Sequence, residues 1–168
     1  TILLYVETRA SSTTELLTEI LPFQKNKVDI NEAEATLMYL GLLVDTNHFT
    51  NRTTSRTFEV ASKLRQLGAD PVTSQEYLKE EYVDFEEKSR ILGSAQLHFD
   101  NIMIAKADDG EYSRTILSQC ADEMLEIRGM EASFVVGRIS DEEVAVSARS
   151  KSINVQLIME AMNGGGHF

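Results

Sequence analysis

The chain has 168 residues, 42% hydrophobic and 26% charged, with 16 Lys and Arg against 27 Asp and Glu and a formal net charge of −11. These values exclude wholesale disorder and argue against a sequence-independent nucleic-acid coat, which needs a basic face; they leave room for one medium domain or two small ones. Cys120 is the single cysteine, so no internal disulfide forms and a reducing compartment is expected.

No apolar run approaches the ~18 residues of a membrane span. No signal peptide stands at the start, and both ends read as cut from a longer chain. The opening Ile2–Val6 (ILLYV) reads as a buried strand. Ser12-Thr-Thr-Glu15 has the form of a capping box and predicts a helix over 13–21, with Leu16, Leu17, Ile20 and Leu21 at helical spacing and Pro22 ending it. Asn31 opens a second helix whose apolar side is read as Ala33, Leu37, Met38 and Gly41, running into Leu42–Thr46. A third starts near Ser55, with Phe58, Ala61, Leu64 and Leu67 facing the core and Gly68 as its stop. Thr73-Ser-Gln-Glu76 reads as a capping box for a charged helix reaching about Leu92 that bridges two domains.

The remainder has a different rhythm. Asn101–Ala107 alternates like a strand and ends at an apparent turn, Asp108-Asp109-Gly110. Ser113 caps a helix carrying Ile116, Leu117, Cys120, Ala121, Met124 and Leu125, stopped by Gly129. Ser133–Ile139 and Val144–Arg149 read as a hairpin, and Ile153–Met162 as a short helix. This is a β-α-β-β-α unit.

Chemistry-bearing residues are few. Asp45 ends an apolar segment, where a carboxylate wants a cation; it is a metal ligand or a turn residue beside Thr46. His48, three residues on, shares a metal or is a solvated loop residue; His98 reads as structural. Arg52 and Arg56 line the same cleft or stay in solvent, and Ser11 and Ser12 donate to a ligand or cap a helix. Gly164, Gly165 and Gly166, with His167, can turn backbone N–H groups toward one anion, or form a plain helix cap and linker. Arg149, at a strand end, offers a fork of donors to phosphate or a solvated terminus. No nucleophile motif, zinc motif or phosphate-loop lysine is present. Cys120 falls on an apolar helix face and the acidic run Glu80–Glu87 on a solvated one.

Together these segments resemble a known family. Leu42–Thr50 (LLVDTNHFT) followed by Arg52–Phe58 (RTTSRTF) is similar to the fourth motif region of DHH-superfamily phosphoesterases, in the form found in the membrane-anchored cyclic-di-AMP phosphodiesterases of Gram-positive bacteria, the YybT/GdpP type. Tyr5–Leu16 (YVETRASSTTEL) resembles the segment after the DHH motif; Ser147–Ser150 (SARS), Asn154-Val155 and the GGGH run resemble the DHHA1 substrate-binding domain.

The resemblance implies an α/β fold. Residues 1–70 would be the C-terminal part of a DHH domain, 71–98 a helical linker, and 99–168 a smaller mixed-sheet DHHA1 domain, incomplete at its end. It implies a manganese-dependent two-metal phosphodiesterase that opens cyclic di-AMP to linear 5′-pApA, with metal ions about 3.5–4 Å apart. Asp45 matches a metal ligand, and Arg149 with Gly164, Gly165, Gly166 and His167 the substrate-phosphate grip. The first three DHH motifs, which supply most metal ligands, are absent, so the isolated chain is expected to bind the metals poorly and to lack appreciable activity. The expected partner is a cyclic dinucleotide and not duplex nucleic acid. A homodimer is left open. Membrane attachment, at the cytoplasmic face, would come only through absent N-terminal segments. A hydrolase of short linear dinucleotides, of the nanoRNase kind, and a non-catalytic nucleotide-sensing module are the alternatives.

Overall fold

Most helices begin where a short polar side chain can take an orphan backbone N–H. A computed structural model describes residues 6–25 and 28–165. The expected strand Ile2–Val6 therefore lies, except for Val6, outside the described residues, as do Gly166 and His167 of the glycine run. The chain divides into two compact units, Thr1–Lys79 and Glu80–Phe168.

The described part of the first unit is helical. Ser12 caps α1 (Thr13–Ile20), its Oγ accepting from Glu15 N at 3.1 Å. Glu15 does not complete the expected box; its carboxylate turns inward. Asn31 and Glu34 cap α2 (Glu32–Asp45) reciprocally, each backbone N–H reaching the other's side chain at 2.9 Å. Next come α3 (Ser55–Gln66), closed by Gly68 at φ 97°, and α4 (Pro71–Tyr77). The core joins Ala35, Leu42, Val60, Ala61, Leu64 and Ala69.

Further expectations are corrected here. The buried side of α2 runs through Ala35 and Leu42, while Ala33 and Leu37 are exposed. On α3, Phe58 is 55% exposed because it stacks on Phe49 rather than entering the core, and Val60 fills the place instead. Thr73 caps nothing: Asp70 takes the N–H groups of Val72 and Thr73, and Pro71 sits where its missing N–H costs nothing. The charged stretch after it is two helices. One is α4, packed on α2, and the other is α5 (Tyr82–Gly93), which belongs to the second unit.

That unit is a four-stranded mixed sheet backed by helices. Its strands are β1 (Gln96–His98), β2 (Ile102–Glu111), β3 (Ala132–Arg138) and β4 (Val144–Ser150), in the order β1-β2-β3-β4. The β1/β2 and β3/β4 pairs are antiparallel and β2/β3 is parallel. Between β2 and β3 runs α6 (Arg114–Leu125), the crossover a parallel pair requires. Asp108–Gly110 is not a turn: β2 continues through it with a register shift between Lys106 and Glu111, braced by the Tyr112 hydroxyl on Asp108. Ile116, Leu117, Cys120, Ala121 and Met124 of α6 meet Ala105, Ala107, Val135 and Ala145 of the sheet, with Ile91 of α5 alongside. Gly137 allows the closest approach, since a Cβ there would stand 2.6 Å from Leu117 Cδ2. The last helix, α7 (Val155–Ala161), packs on β4. No helix among the described residues is long and apolar enough to cross a membrane.

Candidate functional site

Asp45 is the last residue of α2, and it is exposed. A carboxylate at the negative end of a helix dipole costs about 0.3–1 kcal/mol, and no basic residue in the last turn offsets it. Helix stability therefore does not explain Asp45. The backbone beyond it is strained: Asn47, His48 and Phe49 all lie in the left-handed region, at φ 44°, 55° and 63°. That region costs roughly 1–2 kcal/mol for each such residue.

Thr46 holds this turn. It is fully buried; its Oγ1 donates to Leu42 O at 2.6 Å and accepts from Phe49 N at 3.0 Å. Its carbonyl accepts from Thr50 N at 3.0 Å and Asn51 N at 2.8 Å. From the other side, the Phe49 ring packs on Phe58 at 5.3 Å and Tyr39 at 6.2 Å. Strain over-determined in this way clusters at functional sites.

Asp45 opens into a cleft of about 310 Å³ with Glu7, Ser11, Ser12, Leu16 and Arg52 on its walls. The Glu7 carboxyl is held below its ordinary range, chiefly by the Arg9 backbone N–H that donates to it. Of the two arginines, only Arg52 lines this cleft. Arg56 turns to a bidentate pair with Glu19 and lies 3.5 Å from the buried Glu15. Ser12 is used as a cap, and Ser11 donates to Glu15. His48 is exposed, its Nδ1 3.3 Å from Gln75 Nε2, which ties the turn to α4. His98 sits in β1, paired with Ile102. Among the described residues, no three His, Cys, Asp or Glu side chains come together. Asp45 is thus one carboxylate, and these residues do not by themselves fit a two-ion centre.

The second unit holds the other candidates. Ser133 of β3 is buried and donates to Ala121 O of α6 at 2.6 Å. Its cross-strand partner is Arg149, so Arg149 stands on the same sheet face, toward α6. There its Nε donates to Asp122 Oδ1 at 2.6 Å and its Nη2 to the Ser118 hydroxyl, while Nη1 donates to Ala148 O at 3.0 Å. Arg149 also lines a cleft of about 440 Å³ at the end of β4, with Ser150, Lys151, Ser152, Ile153 and Gln156. Cys120 is fully buried, and burial pushes its thiol up to about 11, which suits a core residue.

Gly164 is spent on the end of α7. Asn163 takes the left-handed position, φ 58°, and donates to Glu160 O at 3.0 Å; Gly164 N donates to Met159 O at 2.8 Å. This is a Schellman closure. Gly165 is exposed, with nothing within 4 Å of where a Cβ would stand. The Gly164 N–H is therefore already taken by the helix end.

Sequence reasoning missed Glu7, Ser118 and Asp122. Nothing in the chain marks Glu7. Ser118 and Asp122 did leave a signal, a polar pair spaced i,i+4 beside the apolar stripe of α6, but that spacing also describes any solvated helix flank.

Residues 99–168 match the DHHA1 domain. Over 99% of its length the chain is 45% identical to the cyclic-di-AMP phosphodiesterase PdeA of Listeria monocytogenes, and 44% identical to the cyclic-di-AMP phosphodiesterase GdpP of Bacillus subtilis. It spans 26% of each of these relatives. Proteins of the NrnA type, bifunctional oligoribonucleases and PAP phosphatases, are more distant, at 30% identity or less. Among solved structures, an exopolyphosphatase-related protein from Bacteroides fragilis superposes with a TM-score of 0.80 at 23% identity, over 98% of this chain and 54% of that one. The fold is accordingly shared with that protein. The chain thus carries a DHHA1 domain at residues 99–168, and across both units it is similar to about a quarter of the length of these two cyclic-di-AMP phosphodiesterases.

Proposed function

We propose that this chain is part of a phosphodiesterase that hydrolyses cyclic di-AMP to linear 5′-pApA. The observation that carries the reading is the 45% identity, sustained across both units, to a relative named as a cyclic-di-AMP phosphodiesterase. The residues support a division of labour. In the DHHA1 unit, the Arg149 cleft receives the phosphates, with Lys151 adding positive charge at its edge. Gly165, Gly166 and His167 are proposed to contribute to the same phosphate grip. In the first unit, Asp45 contributes one carboxylate to a manganese centre whose other donors come from elsewhere in the parent protein. Bound there, manganese would activate water and neutralise phosphate charge, which accounts for an acidic chain accepting a dianion.

The parent protein is further proposed to act at the cytoplasmic face of a membrane, attached through segments outside these 168 residues. On this reading the 168 residues alone have no appreciable turnover. The test compares cyclic di-AMP and linear pApA as substrates of the intact protein, with and without Asp45→Ala. Loss of manganese-dependent turnover by at least about a hundredfold in the variant, with cyclic di-AMP preferred by the parent, is the expected result. An unchanged rate would return Asp45 to a turn residue, and preference for pApA would favour a linear-dinucleotide hydrolase.

A further inference from the structure

Arg149 has more donors than its neighbours in the fold accept. A guanidinium has five N–H donors. One on Nε goes to Asp122, one on Nη2 to Ser118 and one on Nη1 to Ala148 O. Among the described residues, that leaves one N–H on each terminal nitrogen, and two such donors match two oxygens of a phosphate. Ser118 and Asp122 are one turn apart on α6, so they act on the guanidinium as a single rigid edge. This edge is itself fixed, because the buried Ser133–Ala121 bond seats β3 on α6 and the β3/β4 register carries Arg149 over it.

The ion pair is half-exposed, with side-chain accessibilities of 39% for Arg149 and 57% for Asp122. Pairs this exposed contribute little to stability. What the pair does supply is orientation. A flexible arginine must lose several rotamers on binding, whereas one already held gives up less.

We infer that Asp122, with Ser118, is a positioning residue for the phosphate grip: it holds Arg149 by one edge so that the other stays presented to the anion. The inference rests on the proposed function of Arg149. It predicts that the acceptor on Asp122 matters and its charge does not.

The experiment uses the intact parent protein and two probes. Cyclic di-AMP is titrated calorimetrically, and the Arg149 Nε–H resonance is followed in nitrogen-edited NMR spectra, with thermal melting as the control for folding. Asp122→Ala is expected to weaken cyclic di-AMP binding about five- to tenfold and to move the Nε–H resonance into the fast-exchanging envelope of surface arginines. Asp122→Asn keeps an acceptor, so it should retain the resonance and bind within about twofold of the parent. Ser118→Ala should fall between them. If Arg149→Ala weakens binding while Asp122→Ala binds as well as the parent or better, the positioning role is overturned and the carboxylate is a competitor for the arginine. If Arg149→Ala itself changes nothing, the phosphate grip fails, and this inference with it.

Discussion

The helices α1 and α6 begin alike and are buried in opposite ways. Each is capped by a serine that accepts the N–H of the residue three positions on, at 3.1 Å. From there α6 buries Ile116, Leu117, Cys120, Ala121 and Met124, an apolar stripe against a sheet. In contrast, α1 buries Glu15 and Thr18, and leaves Leu17 48% exposed. Around Glu15 stand the hydroxyls of Ser11 and Thr57, the latter donating at 2.8 Å, and Arg56 Nε at 3.5 Å. One unit is held by apolar area and the other partly by a buried carboxylate, whose partners must all be in place.

Three substitutions break or sharpen this contrast. The largest effect is expected in the apolar unit: Leu117→Ala empties a fully buried position and should cost about 3 kcal/mol. Hydrogen exchange should show the loss spread over β2, β3 and α6; a loss confined to α6 would mean that the sheet does not depend on the helix. Glu15→Ala should cost about 2 kcal/mol, because it strands two buried hydroxyls that had donated to it. Denaturant titration checks the value, and a neutral outcome would show the polar cluster to be passive filling.

The smallest effect is at Tyr112. Burial first, and then its bond to Asp108, push its hydroxyl up to about 12 from an ordinary value of 10.0. The phenol is thus kept neutral in the folded state. The stability it contributes is whole below pH 10, and is lost as pH rises toward 12, because the unfolded chain ionises first. Tyr112→Phe should cost about 1 kcal/mol at neutral pH and flatten the decline seen in thermal melts above pH 10.

The same contrast explains how far the sequence could be read. On α6 the apolar period, the Ser113 cap and the packed face agree, so start and orientation were legible; the stop was not, since the helix ends at Leu125, four residues before the expected Gly129. The β3/β4 hairpin was legible for the same reason, with its register fixed by alternation. On α1 the start was legible from Ser12, but the face was not. Periodicity counts apolar residues, and nothing local says that Glu15 will find Thr57 and Arg56 some forty positions away. The missed strand β1 has three residues, and its turn uses Phe99 and Asp100 at φ 50° and 65°, where glycine or asparagine would have announced a hairpin. After Asp70, the Thr73 box is a weaker signal than the proline that stands at the first helical position. For the candidate site, the sequence offers only residue types and their order. Which donors of Arg149 are already taken, and that Gly164 closes a helix, depend on contacts that no spacing encodes.

The left-handed run at Asn47, His48 and Phe49 sets a conflict for anyone redesigning this chain. Glycine relieves that backbone at no steric charge, so it is the first replacement a stability engineer would try there. It would also slacken the segment that fixes where the end of α2 points its carboxylate. Under the proposed role of Asp45, durability and aim are opposed at this corner, and a sturdier protein would be a less accurate one.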